Sequence, residues 1–320
     1  MLDVIRHPIF ICVAAVCVLS VAFLLVTYLT AAHFVYTKTL KRSSKDQWTR
    51  DVPSELTEEA VQMYKEGLAW ATERAQYKRD VHIVNDGLNL YGEYYDFGYD
   101  KAVFILSGRT EALRYGYYFA LPYSQSGFNV LVVDPRAHGL SDGVYNTVGF
   151  EESKDILAWS RFLKEECKVK SLIYHGICIG AAGGMYAITS QDCPDIVKGI
   201  VTEGMFANFS ESMKNHLIEK KKPVFILNDL IDAKMKRCTG HSMKYGPINV
   251  INKLDKPLLM LQSKKDLYSK PELAKKLYDT ASSQNTTLVY FDEGAHSMLR
   301  ITDTKRYDTA IKEYLNSLQL

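Results

Sequence analysis

The sequence predicts an α/β fold in which helices flank a mostly parallel central sheet. Six short apolar runs alternate with helical patterns after residue 100, and their continuous apolar character is typical of strands covered on both faces. A long uncharged run precedes them near the N-terminus. With 320 residues, 47% hydrophobic and 24% charged, the chain has the composition of one large globular domain with an extension.

Residues 1–37 are predicted to form an N-terminal transmembrane anchor. From His7 to Thr37 the chain contains no Asp, Glu, Lys or Arg. A spanning helix needs about 20 apolar residues, whereas a secretory signal has an apolar region of roughly 7 to 15. The run is therefore too long for a signal, although Thr30 and Ala32 leave a cleavage site open as an alternative.

The charges around this span predict its orientation. Only Arg6 precedes the span, whereas four basic residues follow it, namely Lys38, Lys41, Arg42 and Lys45. Because basic flanks tend to stay in the cytoplasm, we expect the main domain on the cytoplasmic face of the membrane. The six cysteines show no spacing typical of a disulfide framework, which agrees with that compartment.

Residues 38–53 are predicted to be a polar linker, and residues 54–320 the main domain. A helix is expected to begin near Pro53 and Ser54. Spacings of three and four residues place one set of its side chains on a single face: Val61, Tyr64, Leu68 and Ala71.

The next stretch, "DVHIVNDGLNLYGEYY", predicts a β-hairpin, because Asp86-Gly87 is a turn pair flanked by strand-forming residues. The six later runs are predicted to be the remaining strands: "KAVFILS", "FNVLVVD", "KSLIYH", "DIVKGIVTE", "KPLLMLQS" and "TTLVYFD".

A cysteine lies in the turn between a predicted strand and a predicted helix, in "HGICIGAAGG". Small residues at Gly176 and Gly180 suit a sharp turn in which neighbouring backbones come close, and such a turn presents the central side chain, Cys178, at the top of the sheet. The amino-terminal end of the following helix favours a thiolate and an oxyanion beside it. Cys178 is therefore a candidate nucleophile.

This Gly-x-Cys-x-Gly turn resembles the Gly-x-Ser-x-Gly elbow of the α/β-hydrolase family, with cysteine in the place of serine, as in the dienelactone hydrolases. Away from the turn, residues 55–320 resemble membrane-anchored or secreted bacterial serine hydrolases of the same fold. The resemblance implies an α/β-hydrolase fold with a helical cap, here at about residues 204–253, and a chain order of nucleophile, acid and histidine.

Two later strand ends carry residues that match this order. "LLMLQSKKD" supplies Asp266 and "LVYFDEGAH" supplies His296. A histidine there can take the proton of the nucleophile and later protonate the leaving group, while the acid fixes its tautomer. Glu203, at the end of "DIVKGIVTE", stays open as an alternative acid, because some relatives place the acid after that strand.

The resemblance also implies two backbone N–H donors for an oxyanion, from Ile179 and from Arg109 in "LSGRTE". Ser107 replaces the histidine that is usual in this loop. The Arg109 guanidinium is expected to pair with Glu111 or to face solvent, and binding of an anionic substrate by this side chain stays open as an alternative. Of the other histidines, His138 and His175 are interpreted as structural, and three are expected to be structural or exposed: His82, His216 and His241.

The predicted cap is basic, since residues 205–253 contain nine Lys or Arg and four Asp or Glu. Within it, "EKKKPVFILNDLIDAKMKR" combines an apolar stripe with basic ends, which suits a solvated cap surface, anionic lipid headgroups or an acidic substrate.

Together these observations predict a membrane-anchored hydrolase of carboxylic esters, lactones or thioesters that acts on a small acyl substrate through an acyl-cysteine. A catalytically silent binding protein and an acyltransferase or peptidase with the same triad remain alternatives. We expect no cofactor and no metal. The net charge of +2 does not favour nucleic acid as a partner.

Overall fold

The computed structural model describes residues 8–53 and 56–320. Arg6, used above to predict the orientation of the span, and Ser54, used to predict the start of a helix, lie outside the described residues. The strands are β1 (Lys78–Asn85), β2 (Leu88–Tyr95), β3 (Lys101–Leu106), β4 (Asn129–Val133), β5 (Ser171–Ile177), β6 (Val197–Glu203), β7 (Leu258–Ser263) and β8 (Thr286–Phe291). The longer helices are α1 (Pro8–Leu40), α2 (Glu58–Glu73), α3 (Phe150–Glu165), α4 (Ile179–Ile188), α5 (Phe209–Glu219), α6 (Leu227–Thr239), α7 (Pro271–Thr280) and α8 (Thr304–Ser317). Shorter helical segments are Leu113–Gly116, Leu121–Ser124 and Leu299–Thr302.

The strands form one sheet in the order β1-β2-β4-β3-β5-β6-β7-β8. β1 and β2 form the predicted hairpin, and Asp86 and Gly87 at its turn have positive φ angles of 49° and 74°, as a two-residue type I′ turn requires. β2 is antiparallel to β4, whereas β3 to β8 are parallel. The predicted α/β class and mostly parallel sheet are confirmed.

Helices cover both faces of this sheet. In β3, Phe104 belongs to the same buried cluster as Trp159 of α3, whereas its neighbour Ile105 belongs to a second cluster with Tyr307 of α8. Because successive side chains of a strand point to opposite faces, the two clusters are the two sides of the sheet. Burial on both sides explains why the strands read as continuous apolar runs.

Helix α2 differs from its prediction in start and in orientation. It begins at Glu58, where the Thr57 hydroxyl caps it by accepting a 3.3 Å hydrogen bond from the Ala60 amide, and not at Pro53. The predicted face was wrong for Val61, which is 49% exposed. The helix is rotated because Gly67 faces the aromatic segment 117–119, and the buried residues are Ala60, Met63, Tyr64, Gly67 and Trp70.

Helix α1 is long and apolar enough to cross a membrane, and it continues past residue 37. Its 33 residues correspond to about 50 Å at 1.5 Å per residue. The side chains from Phe10 to Thr27 are exposed. Beyond Thr27 one face packs against the domain at spacings of three and four, through Tyr28, Ala31, Ala32, Val35, Tyr36 and Leu40. The last three turns of the helix are therefore part of the domain.

The segment after α1, predicted as a polar linker, also lies on the domain. The Arg42 amide donates to the Val144 carbonyl at 2.7 Å. The Trp48 ring stacks on His138 with centroids 4.6 Å apart, and the Arg50 guanidinium donates to Asp134 at 2.7 Å. These contacts fix the connection between α1 and α2.

Candidate active site

Cys178 lies in a strained turn at the carboxyl end of β5, directly before α4. Its φ of 53° and ψ of −110° are uncommon for a residue with a side chain, and such strain is typical of functional positions. A Cβ at Gly176 would meet the Ala181 backbone at 2.4 Å, and one at Gly180 would meet the Leu106 carbonyl oxygen at 2.1 Å. Both glycines of the sequence motif are therefore required by the close approach of backbones.

The structure brings His296 and Asp266 together. The Nδ1 atom of His296 and the Oδ2 atom of Asp266 are 2.7 Å apart, and the carboxylate is buried. The other oxygen, Oδ1, accepts hydrogen bonds of 2.8 Å from the amides of Tyr268 and Ser269. Asp266 is thus held by its own turn and can fix the tautomer and orientation of His296.

The imidazole of His296 is electrostatically coupled to the candidate nucleophile. Burial alone lowers its pKa, but the charges of Cys178 and Asp266 and hydrogen bonding to both outweigh burial and raise the pKa well above 6.5. A Cβ placed on Gly204 would lie only 3.0 Å from the His296 ring, so the positive φ of Gly204, 59°, leaves room for the imidazole. Cys178, His296 and Asp266 are therefore brought to one edge of the sheet.

Glu203, the alternative acid, is engaged elsewhere. Its buried carboxylate accepts hydrogen bonds from the Leu299 amide at 3.1 Å and from the Tyr307 hydroxyl at 2.7 Å. Burial raises its pKa despite these donors. Glu203 thus ties the segment after His296 to α8, and its carbonyl also accepts a hydrogen bond from the Cys178 amide at 2.9 Å. The geometry favours Asp266 as the partner of His296.

The two predicted oxyanion donors lie on the elements that the resemblance implies. Ile179 is the first residue of α4, so its amide is one of the unpaired N–H groups at a helix start. The loop after β3 approaches the elbow closely, since a Cβ on Gly108 would lie 3.9 Å from the Cβ of Cys178. The Arg109 carbonyl in this loop is held by His138 at 2.7 Å.

The guanidinium of Arg109 has a partner that the sequence did not predict. It donates to the Thr39 carbonyl, in the last turn of α1, at 3.2 Å. The expected pairing with Glu111 is wrong, because the Glu111 carboxylate instead accepts hydrogen bonds from the Thr110 amide and hydroxyl. The loop next to the nucleophile is therefore attached to the end of the apolar helix.

Cys178, His296 and Arg109 line a cavity of about 1030 Å³. It includes residues for which the sequence analysis assigned no role at the site, notably His216 of α5, whose pKa is lowered by burial, and Tyr268, whose ring is T-shaped on His296 at 5.4 Å. The wall contains residues from α1, the loop after β3, the elbow, the cap and the final loop, among them Thr39, Arg109, Tyr115, Cys178, Met213, His216, Tyr268 and His296. We call it the site cavity.

The remaining histidines lie away from the nucleophile's chemistry. His175 is buried between the hydroxyls of Tyr123 and Tyr307, at 2.9 and 3.0 Å, and burial lowers its pKa to about 3. His241 lies 2.7 Å from Glu151, and His82 lies on the edge strand β1.

Among residues 8–53 and 56–320, no group of three His, Cys, Asp or Glu side chains is placed to hold a metal ion. All six cysteines are free.

The sheet order, the strained elbow after β5 and the helical cap define the class, since the chain adopts the α/β-hydrolase fold. The solved structures agree. An esterase of Pyrococcus furiosus, Pf2001, superposes with a TM-score of 0.65 at 21% identity, covering 85% of this chain and 98% of the esterase. An α/β-hydrolase of Vibrio vulnificus superposes with a TM-score of 0.64 at 18% identity, covering 88% and 92%.

In sequence, the chain is similar to the uncharacterized protein YqkD of Bacillus subtilis (strain 168). The two are 29% identical over 196 residues, which are 60% of this chain and 63% of YqkD. The match thus spans less than two thirds of YqkD. No family model matches the sequence.

Proposed function

We propose that the protein is a hydrolase that cleaves carboxylic esters, lactones or thioesters through an acyl-cysteine intermediate. The observation that carries this proposal is the placement of Cys178 in the strained elbow, in the same cavity as His296, which is hydrogen-bonded to Asp266. The use of cysteine is similar to that in the dienelactone hydrolases. The esterase and hydrolase names of the structural neighbours are compatible with it.

In the first half of the reaction, the Sγ atom of Cys178 attacks the acyl carbonyl carbon. The electron pair of the carbonyl π bond moves to the oxygen, which becomes an oxyanion. The amides of Ile179 and Arg109 are proposed to donate to this oxyanion. When the intermediate collapses, the bond to the leaving oxygen or sulfur breaks and His296 supplies its proton. An alcohol or thiol departs, and the acyl group remains on Cys178 as a thioester.

In the second half, water loses a proton to His296 and attacks the thioester carbonyl. The carbon–sulfur bond breaks, a carboxylic acid is released, and the proton held by His296 restores the resting pair. Asp266 stays ionised and keeps the imidazole oriented through the 2.7 Å hydrogen bond. These steps balance without a metal or a redox group.

Trapping the intermediate tests the proposal. The full-length protein in detergent is incubated with a panel of acyl esters and thioesters, quenched in acid, and digested for mass spectrometry. We expect an acyl group on Cys178 in the parent, no acylation and no turnover in Cys178→Ala, and accumulated acyl-enzyme in His296→Ala. Parent-rate hydrolysis by a folded Cys178→Ala would overturn the mechanism. Absence of acylation across the panel would favour a catalytically silent binding protein.

We also propose that α1 anchors the protein in a membrane with the domain on the cytoplasmic face. The exposed apolar surface from Phe10 to Thr27 and the four basic residues that follow the span support this arrangement. Protease added to intact cells should leave the domain uncut and should digest it after permeabilisation. Digestion in intact cells would place the domain on the other side.

A further inference from the structure

The loop between α5 and α6, residues 220–226, combines basic and exposed apolar side chains. We call it the cap loop. Its sequence is "KKKPVFI", and Phe225 is 81% exposed and Ile226 45% exposed. Ile226 also has a positive φ of 64°, which is a rare conformation for a β-branched residue. Bulky apolar groups beside a run of lysines are typical of segments that lie in the interface of a membrane.

The packing of α6 on α1 connects the cap loop to the apolar helix. α6 packs against α1, and Cys238, one residue before the end of α6, lies beside Tyr36. The packed face of α1 extends from Tyr36 toward the N-terminus as far as Tyr28, within the same cluster as Leu227. The helix that follows the cap loop therefore shares a packed face with α1.

The packed face of α1 begins where a membrane span would end. Toward the N-terminus it reaches Tyr28, and the side chains from Phe10 to Thr27 are exposed. A span of about 20 residues that begins at Phe10 ends near residue 30. The cap loop leads directly into the helix that packs on this face.

We propose that the cap loop is a second contact with the bilayer that holds α1, with Phe225 and Ile226 inserted among the acyl chains and three lysines on anionic headgroups: Lys220, Lys221 and Lys222. The inference rests on the membrane anchoring proposed above. Charge complementarity and continuity with the lipid-exposed surface of α1 identify the bilayer as the partner. Since α5 ends at this loop and contributes Met213 and His216 to the site cavity, the bilayer would also position one wall of the site.

Tryptophan quenching tests the contact in the full-length protein reconstituted into vesicles. Phe225→Trp is compared with Leu19→Trp, in the middle of the exposed part of α1, and with Val84→Trp, a 67% exposed position on the edge strand β1. The vesicles contain lipids brominated on the acyl chains, and the emission of the parent, from its three native tryptophans, is subtracted. Thermal unfolding verifies that each variant is folded.

We expect blue-shifted emission that bromine quenches by at least half in Phe225→Trp and Leu19→Trp, and unquenched emission in Val84→Trp. If Leu19→Trp is quenched and Phe225→Trp behaves like Val84→Trp, the cap-loop proposal is wrong while the anchor stands. If Leu19→Trp is also unquenched, the anchor and the cap-loop contact both fail.

The lysines are tested in the Phe225→Trp background. Quenching should be stronger in vesicles with 30% phosphatidylglycerol than in pure phosphatidylcholine, and replacing the three lysines by glutamine should remove that difference. Equal quenching of Phe225→Trp with its native lysines in the two kinds of vesicle would refute the headgroup contact.

Discussion

Replacing Gly180 by alanine tests whether the elbow must lie so close to the loop after β3. The added Cβ would lie 2.1 Å from the Leu106 carbonyl oxygen and 2.6 Å from that of Ser107. Carbon and carbonyl oxygen atoms usually stay about 3.3 Å apart, so the loop must retreat by about 1.2 Å. Both nearest atoms belong to the backbone, and a side-chain rotation cannot relieve the contact.

The retreat moves the loop that contains the proposed oxyanion donor of Arg109. A misplacement of about 1 Å costs on the order of 10²-fold in rate, and overpacking of this kind destabilises by about 1–3 kcal/mol. We therefore expect Gly180→Ala to lose about 10²-fold in kcat/KM on the best ester of the panel. Thermal unfolding should show a lower Tm.

Gly184→Ala is the matched control, one turn further along α4. Its added Cβ meets the methyl ends of Ile200 and Leu106 at 3.0 Å, and such side-chain ends can move aside. Alanine also favours the helix by about 0.5–1 kcal/mol over glycine. We expect activity within threefold of the parent. A Gly180→Ala variant that is as active and as stable as Gly184→Ala would refute the close approach at the elbow.

Three further predictions concern the groups around the nucleophile. Iodoacetamide should modify Cys178 at least tenfold faster than Cys193, whose pKa burial raises to about 11; equal rates by peptide mapping would count against a reactive elbow. Asp266→Asn should lower kcat by at least 10²-fold, whereas Glu203→Gln should mainly lower Tm, since its carboxylate holds the segment after His296; the reverse pattern would make Glu203 the acid. In NMR titrations His296 should keep its proton well above pH 6.5 and lose it at lower pH in Cys178→Ala, because the charge of Cys178 is removed. The contribution of this raised pKa to folding stability is complete below pH 6.5 and is lost as the pH rises through the folded-state pKa of His296. A His296 titration midpoint below pH 6.5 in the parent protein would contradict the prediction.

The sheet and the order of the site residues could be predicted because each leaves a local signal. Strands buried on both faces are continuous apolar runs, and the carboxyl ends of parallel strands meet at one edge, so that Cys178, Asp266 and His296 could be matched by strand end alone. The glycine spacing around Cys178 likewise indicates a close approach of backbones, because a side chain at either glycine would clash with backbone atoms.

The parts that could not be predicted depend on contacts between distant segments. In the sequence, Tyr28 and Ala32 cannot be distinguished from lipid-facing residues, because the interior of a protein and a bilayer favour the same apolar side chains. The bond from Arg109 to Thr39 joins positions 70 residues apart and leaves no pattern in either segment. The sequence predicts a structural or exposed role for His216, because it does not show which side of α5 faces the site cavity.

The packing of α1 on α6 has a consequence for biosynthesis. Leu227 follows Leu40 by 187 residues, which a ribosome adds in roughly 10–40 s at about 5–20 residues per second. During that interval the apolar face from Tyr28 to Leu40 has no α6 to cover it. α1 is therefore synthesised before α6, and α6 must later pack onto a helix that has already formed. The domain therefore completes its fold against α1, instead of folding first and joining α1 afterwards.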